Sequence, residues 1–127
     1  MPAGEGFTAA QRQQIDKAIR QAETSCRFEF SVYVGAAEGE PRAFAARLHG
    51  ALVAPDRSVL ILVDPDARVV EVVTGAEVRR SLDDRSVSLA VVEMQSQFVL
   101  DDLSGGIVRG IHSLADCATR TPRTLHA

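Results

Sequence analysis

The sequence predicts an α/β fold, a mixed β-sheet sandwiched between helices with elements in the order α-β-α-β-β-α-α. Three observations lead to this prediction: apolar residues recur at helical spacing in four segments, alternate with polar residues in one segment, and form two short β-branched runs on either side of Pro65. With 127 residues the chain has the size of one domain. We assign that domain to residues 1–118 and predict that residues 119–127 form a disordered tail.

Two successive periodicities predict the first helix and the first strand. Thr8 followed by Gln11 is typical of a capping box, and apolar residues then recur every three or four positions, so a helix is expected over about 8–24. From Phe28 to Val34 apolar and polar residues alternate, which predicts a strand with one face more buried than the other.

The middle of the chain predicts a helix followed by a β-hairpin. Pro41 suits the first position of a helix with apolar residues on one side. Residues 58–63 form an almost continuous apolar run, which is typical of a central strand covered on both faces. Residues 64–67 have the composition of a tight turn, so residues 68–74 should return as an antiparallel strand. Because a helix joins the first two strands, we expect them to be parallel.

Two further helices are predicted at the C-terminal end of the chain. Aspartates at 83–84 and 101–102 are suitable caps for their N-termini. The residues expected to face the core are Val87, Ala90, Val91, Met94 and Phe98 in the third helix and Leu103, Ile107, Ile111 and Leu114 in the fourth. Gly106 and Gly110 cost about 1 kcal/mol each relative to alanine inside a helix, so we expect them to allow close approach of another element.

Composition excludes several classes of function. A net charge of -3 with a single lysine, Lys17, argues against a nucleic-acid binder. The longest aliphatic run, Val59–Val63, is far shorter than the ~20 residues that cross a bilayer, so no membrane insertion is expected. The first residues lack the pattern of a secretory signal, and Cys26 and Cys117 form no C-x-x-C motif. These features predict a cytoplasmic protein with reduced thiols.

Two strings resemble phosphatase motifs but lack their context. Asp64-Pro65-Asp66 after an apolar strand resembles the first motif of haloacid-dehalogenase-type phosphatases, yet Arg68 stands where that family has Thr or Val, and the required later lysine is missing. A hairpin turn is the simpler interpretation. Cys117 and Arg123 match the spacing of the cysteine phosphatases, but Cys117 is expected at the end of a helix rather than in a strand-to-helix loop.

Acidic residues are predicted to converge at one end of the hairpin. Antiparallel pairing should bring Asp56 toward Gly75, and the turn at Asp83 and Asp84 should lie at the same edge. Oxygen ligands bind hard cations, so these four residues are the predicted site for Ca²⁺ or Mg²⁺. Aspartates also cap helices, and neighbouring arginines would neutralise the group without a metal, so a purely structural role stays open.

The order of several short motifs resembles that of the TPM-domain family over about residues 7–117. The segments that carry the resemblance are Phe7-Thr8-Ala9-Ala10-Gln11, Glu29-Phe30-Ser31-Val32, Asp56 to Val63, Asp66-Ala67-Arg68, Val72-Val73-Thr74-Gly75, Leu82-Asp83-Asp84 and Leu100 to Ile107. The resemblance implies a Rossmann-like sandwich without a nucleotide motif. This chain is most similar to short, untethered actinobacterial members of unassigned function. It departs from the family at Arg57-Ser58, where members have Asn-Gly, so a guanidinium is expected where a cation would sit.

The resemblance implies two functions of different classes. Some members are linked to the assembly of complexes, which favours a non-catalytic module that binds another protein and requires no cofactor. Others are linked to divalent metals and weak acid phosphatase activity, which would centre here on Asp56, Asp83 and Asp84. For the first function we expect an unidentified protein partner and a chain that is a monomer or a weak oligomer.

Overall fold

A computed structural model describes residues 7–120, which form four α-helices and a three-stranded mixed sheet. The elements are α1 (Ala9–Cys26), β1 (Glu29–Val34), α2 (Pro41–Gly50), β2 (Ser58–Asp64), β3 (Val69–Thr74), α3 (Asp84–Val99) and α4 (Leu103–Arg120). Single 3-10 turns precede β2 and α3, at Pro55–Arg57 and Val78–Arg80. The mixed α/β class, which was predicted from helical and alternating apolar patterns, is therefore confirmed.

The boundary of the predicted tail needs a correction. Thr119 and Arg120 were assigned to the tail, but both belong to the last turn of α4. Ala118 is buried against the core, and the side chains of Thr119 and Arg120 donate to the Asp116 carbonyl, so packing and hydrogen bonding carry the helix further than the apolar pattern indicated. The rest of the predicted tail, residues 121–127, lies outside the described residues.

Local signals in the sequence account for the helix starts. Thr8 accepts from the Gln11 amide while the Gln11 side chain accepts from the Thr8 amide, which is the predicted capping box. Pro41 occupies the first turn of α2, and the Glu40 carboxylate accepts from two amides there. The left-handed Arg27, with φ of 69°, ends α1 and turns the chain into β1.

The sheet has the order β1-β2-β3, with β2 in the centre. β1 pairs with β2 in parallel, from Glu29 opposite Ser58 to Val34 opposite Val63. β2 pairs with β3 antiparallel, so the two apolar runs around Pro65 fold back on each other as predicted. Every residue of β2 is buried, as expected for a strand covered on both faces.

Alternate residues of the sheet face two separate cores. One face, which includes Val59, Ile61 and Val63, packs against α1, α3 and α4 in the larger core. The other face, which includes Leu60 and Leu62, packs against α2 in a smaller core. The period of two along β2 thus places helices on both sides of the sheet.

Helices α3 and α4 approach each other closely at two glycines. A side chain at Gly106 would collide with the ring of Phe98, and one at Gly110 would collide with Met94. The prediction that these two glycines allow close approach of another element is confirmed. Within residues 7–120, no helix combines the length and the apolar composition that a membrane span requires.

Candidate functional site

The backbone brings together two of the four residues predicted to bind a metal. The Gly75 amide donates to the Ser58 carbonyl at 3.0 Å, and the Glu77 amide donates to the Asp56 carbonyl at 2.9 Å. A side chain at Gly75 would overlap the carbonyl oxygens of Pro55 and Asp56, so only glycine fits here. Asp56 and Gly75 are therefore neighbours, but the contact uses backbone atoms and occupies the Asp56 carbonyl oxygen.

Arginines hold this corner together through direct contacts. The Arg57 guanidinium forms an ion pair with Glu77 and donates to the carbonyl of Arg27, the residue that ends α1. It also lies 6.0 Å from the centre of the Phe28 ring. Arg79 donates to the Thr74 carbonyl at the end of β3. Arg57 thus neutralises Glu77, an acidic residue at this corner that was not among the four predicted site residues.

Asp83 and Asp84 belong to the start of α3 instead. The Asp83 carboxylate accepts from the Ser86 amide at 2.9 Å, and this bond, together with a second one from the Ser86 side chain, lowers the pKa of Asp83. Asp84 follows in the first turn of α3, where its negative charge interacts favourably with the helix dipole. Asp83 therefore caps α3 and Asp84 adds negative charge to its first turn, which are the structural roles that the sequence left open.

A cluster of three carboxylates is not found at this corner. Among residues 7–120, no three side chains of the types His, Cys, Asp and Glu are placed where they could hold one metal ion. The expected convergence of Asp56, Asp83 and Asp84 is therefore corrected: the first is tied to Gly75 and Glu77 through its backbone, while the second caps α3. Binding of Ca²⁺ or Mg²⁺ by a smaller set of ligands stays a prediction.

Asp64 ties two loops together at the opposite end of β2. Its side chain is buried, and its two oxygens accept from the amides of Ala37 and Ala67 at 3.1 Å each. The first amide belongs to the loop after β1 and the second to the hairpin. Both carboxylate oxygens are thus engaged by backbone, which agrees with the turn interpretation rather than with a nucleophile.

A mostly apolar groove of about 470 Å³ lies beside Asp64, between the hairpin and the end of α3. Its apolar lining includes Val70, Phe98 and Val99. Arg68 and Asp101 add polar groups, and each has a left-handed backbone, with φ of 58° and 62°. The volume lies in the range of binding pockets, about 300–1,000 Å³.

An apolar stripe on the outer side of α3 is a feature that the sequence predictions missed. Leu89 is 58% exposed, Val92 57%, Val99 80% and, just after the helix, Leu100 71%. The first three residues follow one another at intervals of three and seven, which is a helical signal in its own right. The sequence does not single out this stripe, because α3 has a second apolar face with helical spacing that already accounts for its contact with the core.

His49 and Cys26 are buried groups without a catalytic arrangement. His49 is buried near the end of α2, where its Nε2 lies 3.0 Å from the Ser58 carbonyl oxygen and donates to it in the matching tautomer. Burial raises the pKa of the Cys26 thiol, which keeps it protonated and unreactive.

Known structures share this fold. The NMR structure of the BA42 protein from the psychrophilic bacterium Bizionia argentinensis matches with a TM-score of 0.83 and 21% identity, over 93% of this chain and 85% of that one. The N-terminal domain of the cg2496 protein from Corynebacterium glutamicum matches with a TM-score of 0.76 and 14% identity, over 91% of this chain and 76% of that one. At these identities the likeness is one of fold alone.

Sequence relatives and a family match add to this likeness. The uncharacterized proteins MT2543 and Rv2468c, from two strains of Mycobacterium tuberculosis, are each 28% identical over 109 residues, which are 86% of this chain. The chain spans 65% of the length of these relatives. The matching family is not named for the TPM domain, so the TPM resemblance stays a prediction. Since residues 2–115 match the family described as "Domain of unknown function (DUF5130)", this chain belongs to that family.

Proposed function

We propose that this domain is a non-catalytic protein-interaction module that presents the outer face of α3 to a partner. The observation behind this proposal is the exposure of Leu89, Val92 and Val99 on one side of the same helix. Several exposed apolar side chains on one face of a helix are typical of protein-binding sites, because water contact with them is unfavourable. The TPM resemblance, with its members linked to complex assembly, supports the same class of function.

The exposed stripe has the geometry of a coiled-coil seam. Counted from Arg85, the positions 89, 92, 96 and 99 follow at alternating intervals of four and three residues. This 4-3 spacing places them in one narrow line along the helix, which is the a/d pattern that pairs with another helix. We call these five residues, Arg85, Leu89, Val92, Ser96 and Val99, the α3 seam.

Polar residues border the α3 seam. Ser88 and Gln95 are exposed on one side, and Glu93 is exposed on the other. Glu93 accepts a hydrogen bond of 2.7 Å from Ser113, so its carboxylate is held against α4. Three of the five seam residues are apolar, and an exposed apolar group with a polar border has the composition of an interaction surface rather than of a core face.

Replacing Val92 with glutamate tests the proposal. Wild-type protein and the Val92→Glu variant are used as baits in cell extract, the recovered proteins are identified, and the strongest candidate is purified for a binding titration. We expect the variant to raise its dissociation constant by about tenfold or more, since a charge would be buried against an apolar partner. Val53→Glu is the matched control, because Val53 is 99% exposed and lies outside the α3 seam.

One outcome of this experiment would contradict the proposal. If Val92→Glu recovers the same proteins with the same affinities as the wild type, the α3 seam is not the binding surface. Circular dichroism of both variants checks that they are folded. Since both valines are exposed, neither glutamate should alter the core.

The alternative that the resemblance implied, a phosphatase dependent on Ca²⁺ or Mg²⁺, has a direct test, although Asp56, Asp83 and Asp84 form no three-residue metal cluster within residues 7–120. A ligand at 100 times its dissociation constant adds about 2.7 kcal/mol to stability, so a binding cation would raise the melting temperature and EDTA would reverse the rise. Phosphate-ester turnover that disappears in the double variant Asp56→Asn with Asp83→Asn would establish the enzyme. The capping role of Asp83 favours the interaction module.

A further inference from the structure

Strand β3 forms one outer edge of the sheet, since the strand order is β1-β2-β3. The backbone groups of successive residues in a strand point alternately toward a neighbouring strand and away from it. The Gly75 amide donates to the Ser58 carbonyl of β2, so Gly75 points toward β2 and sets the alternation. The backbone N–H and C=O groups of Val70, Val72 and Thr74 therefore point outward and form the free edge of β3.

Two arginines occupy carbonyls of this free edge. The Arg42 guanidinium reaches over the edge from α2 and donates to the Val72 carbonyl at 2.7 Å. The Arg79 guanidinium donates to the Thr74 carbonyl from the 3-10 turn that follows β3. Two of the three outward carbonyls are thus engaged by cationic side chains. Charged side chains at an edge are a common protection against pairing with another strand.

Arg42 is held in this position from both of its ends. Its backbone lies in the first turn of α2, where its amide donates to the Glu40 carboxylate that caps this helix. Its guanidinium lies 3.3 Å from the Glu71 carboxylate of β3, which is 26% exposed. A hydrogen bond from an ionised donor is stronger than one between neutral groups. The guanidinium can therefore compete with a backbone amide for the Val72 carbonyl.

The composition of β3 makes this protection necessary. Apart from Glu71, every residue of Val69–Thr74 is β-branched. Residues of this kind favour extended pairing, and an exposed strand that is rich in them pairs readily with an identical strand. The opposite edge of the sheet has a similar contact, because the Glu23 carboxylate accepts from the Phe30 amide of β1 at 3.0 Å.

We propose that Arg42 and Arg79 prevent the β3 edge from pairing with the β3 edge of a second copy of this chain. This role concerns the sheet edge and is independent of the α3 seam. Without the two contacts, a two-fold axis at Val72 would place Val70 of one copy opposite Thr74 of the other, so the outward amides and carbonyls would satisfy each other. With the arginines in place, amides of the second copy meet carbonyls that are already occupied.

Replacing both arginines with methionine tests this role. Methionine has an unbranched side chain without a hydrogen-bond donor. From about 5 µM to about 500 µM, a range suited to weak interfaces, the apparent mass of the Arg42→Met, Arg79→Met double variant in sedimentation equilibrium should rise to at least that of a dimer and exceed that of the wild type. The chain is already negative and becomes more so, which opposes association. Equal apparent masses of the two proteins would overturn the proposal.

The matched control removes two other arginines from the same two elements. Arg47 belongs to α2 and donates to the Glu38 carbonyl in the loop before that helix, and Arg80 is exposed in the 3-10 turn. Arg47→Met with Arg80→Met adds the same apolar groups and removes the same charge without uncovering the two strand carbonyls. This variant should sediment like the wild type. If it associates as strongly as the test variant, exposed methionines are the cause and the proposal is wrong.

Amide hydrogen exchange identifies the edge that pairs. The outward amides of Val72 and Thr74 should exchange at least about tenfold more slowly in the associated double variant than in the wild type, since a second strand accepts from them. Association without this slowing would place the contact elsewhere and overturn the proposal. Arg42→Met alone, which keeps the Arg79 contact, should slow exchange at Val72. It replaces the double variant if circular dichroism shows that the latter is unfolded.

Discussion

Single residues at the Gly75 corner show how closely the backbone segments pack. Gly75 touches the carbonyl oxygens of the 3-10 turn before β2, and its own amide bonds to Ser58. Neither carbonyl can move freely, because that of Pro55 accepts from the Ser58 amide and that of Asp56 accepts from the Glu77 amide. The glycine is needed for the close approach of two backbones, and its φ is not in the left-handed region.

The substitution Gly75→Ala should destabilise the protein by about 1–3 kcal/mol, because the added methyl group overlaps backbone rather than a flexible side chain. Urea unfolding measures the change. Gly50→Ala is the matched control: nothing lies within 4 Å of the added carbon, and alanine favours the helix by up to about 1 kcal/mol. Equal effects of the two substitutions would contradict the close approach.

Asp83 makes a pH-dependent contribution to stability. Its hydrogen bonds to Ser86 lower its pKa in the folded state, so the ionised carboxylate stabilises the start of α3. That contribution is complete above the ordinary aspartate pKa of about 3.9 and is lost as the pH falls through the lowered folded-state value. The Asp83→Asn variant would retain a capping side chain without the charge.

We expect the wild type to melt at a higher temperature than Asp83→Asn at pH 7, and the difference to shrink as the pH falls below about 4. Thermal unfolding of both proteins across this range measures it. A difference that is the same at pH 7 and pH 3 would mean that the charge of Asp83 contributes nothing.

At the scale of elements, the contact between α3 and α4 depends on two glycines of α4. Gly106 and Gly110 let α4 approach α3, where Phe98 and Met94 fill the space that side chains on α4 would take. Met94 is fully buried, so it has no free volume into which it can move. The α3–α4 pair thus depends on a complementarity between large residues on one helix and glycines on the other.

The variant Gly110→Ala should lose about 1–2 kcal/mol of stability, because overpacking against Met94 exceeds the gain in helix propensity. Met94→Ala alone should lose about 2–5 kcal/mol through a cavity. The two changes together should cost less than the sum, since the new methyl group fills part of that cavity. Chemical unfolding of the four proteins gives the coupling energy, and simple additivity would contradict the contact.

For the molecule as a whole, the two faces of the sheet are unequally covered. The larger core combines residues from α1, α3 and α4, whereas the smaller core behind α2 has, within residues 7–120, four buried apolar residues, which are Ala45, Leu60, Leu62 and Val73. Elements with little buried apolar surface open at a lower free energy than the global unfolding. The layer formed by α2 is therefore the weaker one.

Amide hydrogen exchange should reveal this difference. We expect amides of α2 to exchange by local opening at least about tenfold faster than amides in the centre of α4, which corresponds to a gap of about 1.4 kcal/mol. The exchange is followed by NMR or mass spectrometry at neutral pH. Equal protection in the two helices would indicate that the domain opens as one unit.

The sequence by itself determined the elements and their local contacts. Capping at Thr8, the antiparallel return around Pro65 and the close approach at Gly106 and Gly110 all follow from rules that act over a few residues, so they were predicted. The buried central strand was also predicted, because a short apolar run between two prolines has few other uses.

Tertiary structure alone decided the candidate sites. The sequence predicted that Asp56, Asp83 and Asp84 converge, but the Asp56 backbone meets Glu77 whereas Asp83 caps α3, and this placement depends on packing that residue order does not specify. The exposed α3 seam was missed for a related reason. Helix α3 has two apolar faces of helical period, and only the position of α4 and the sheet determines which face is covered and which is left exposed.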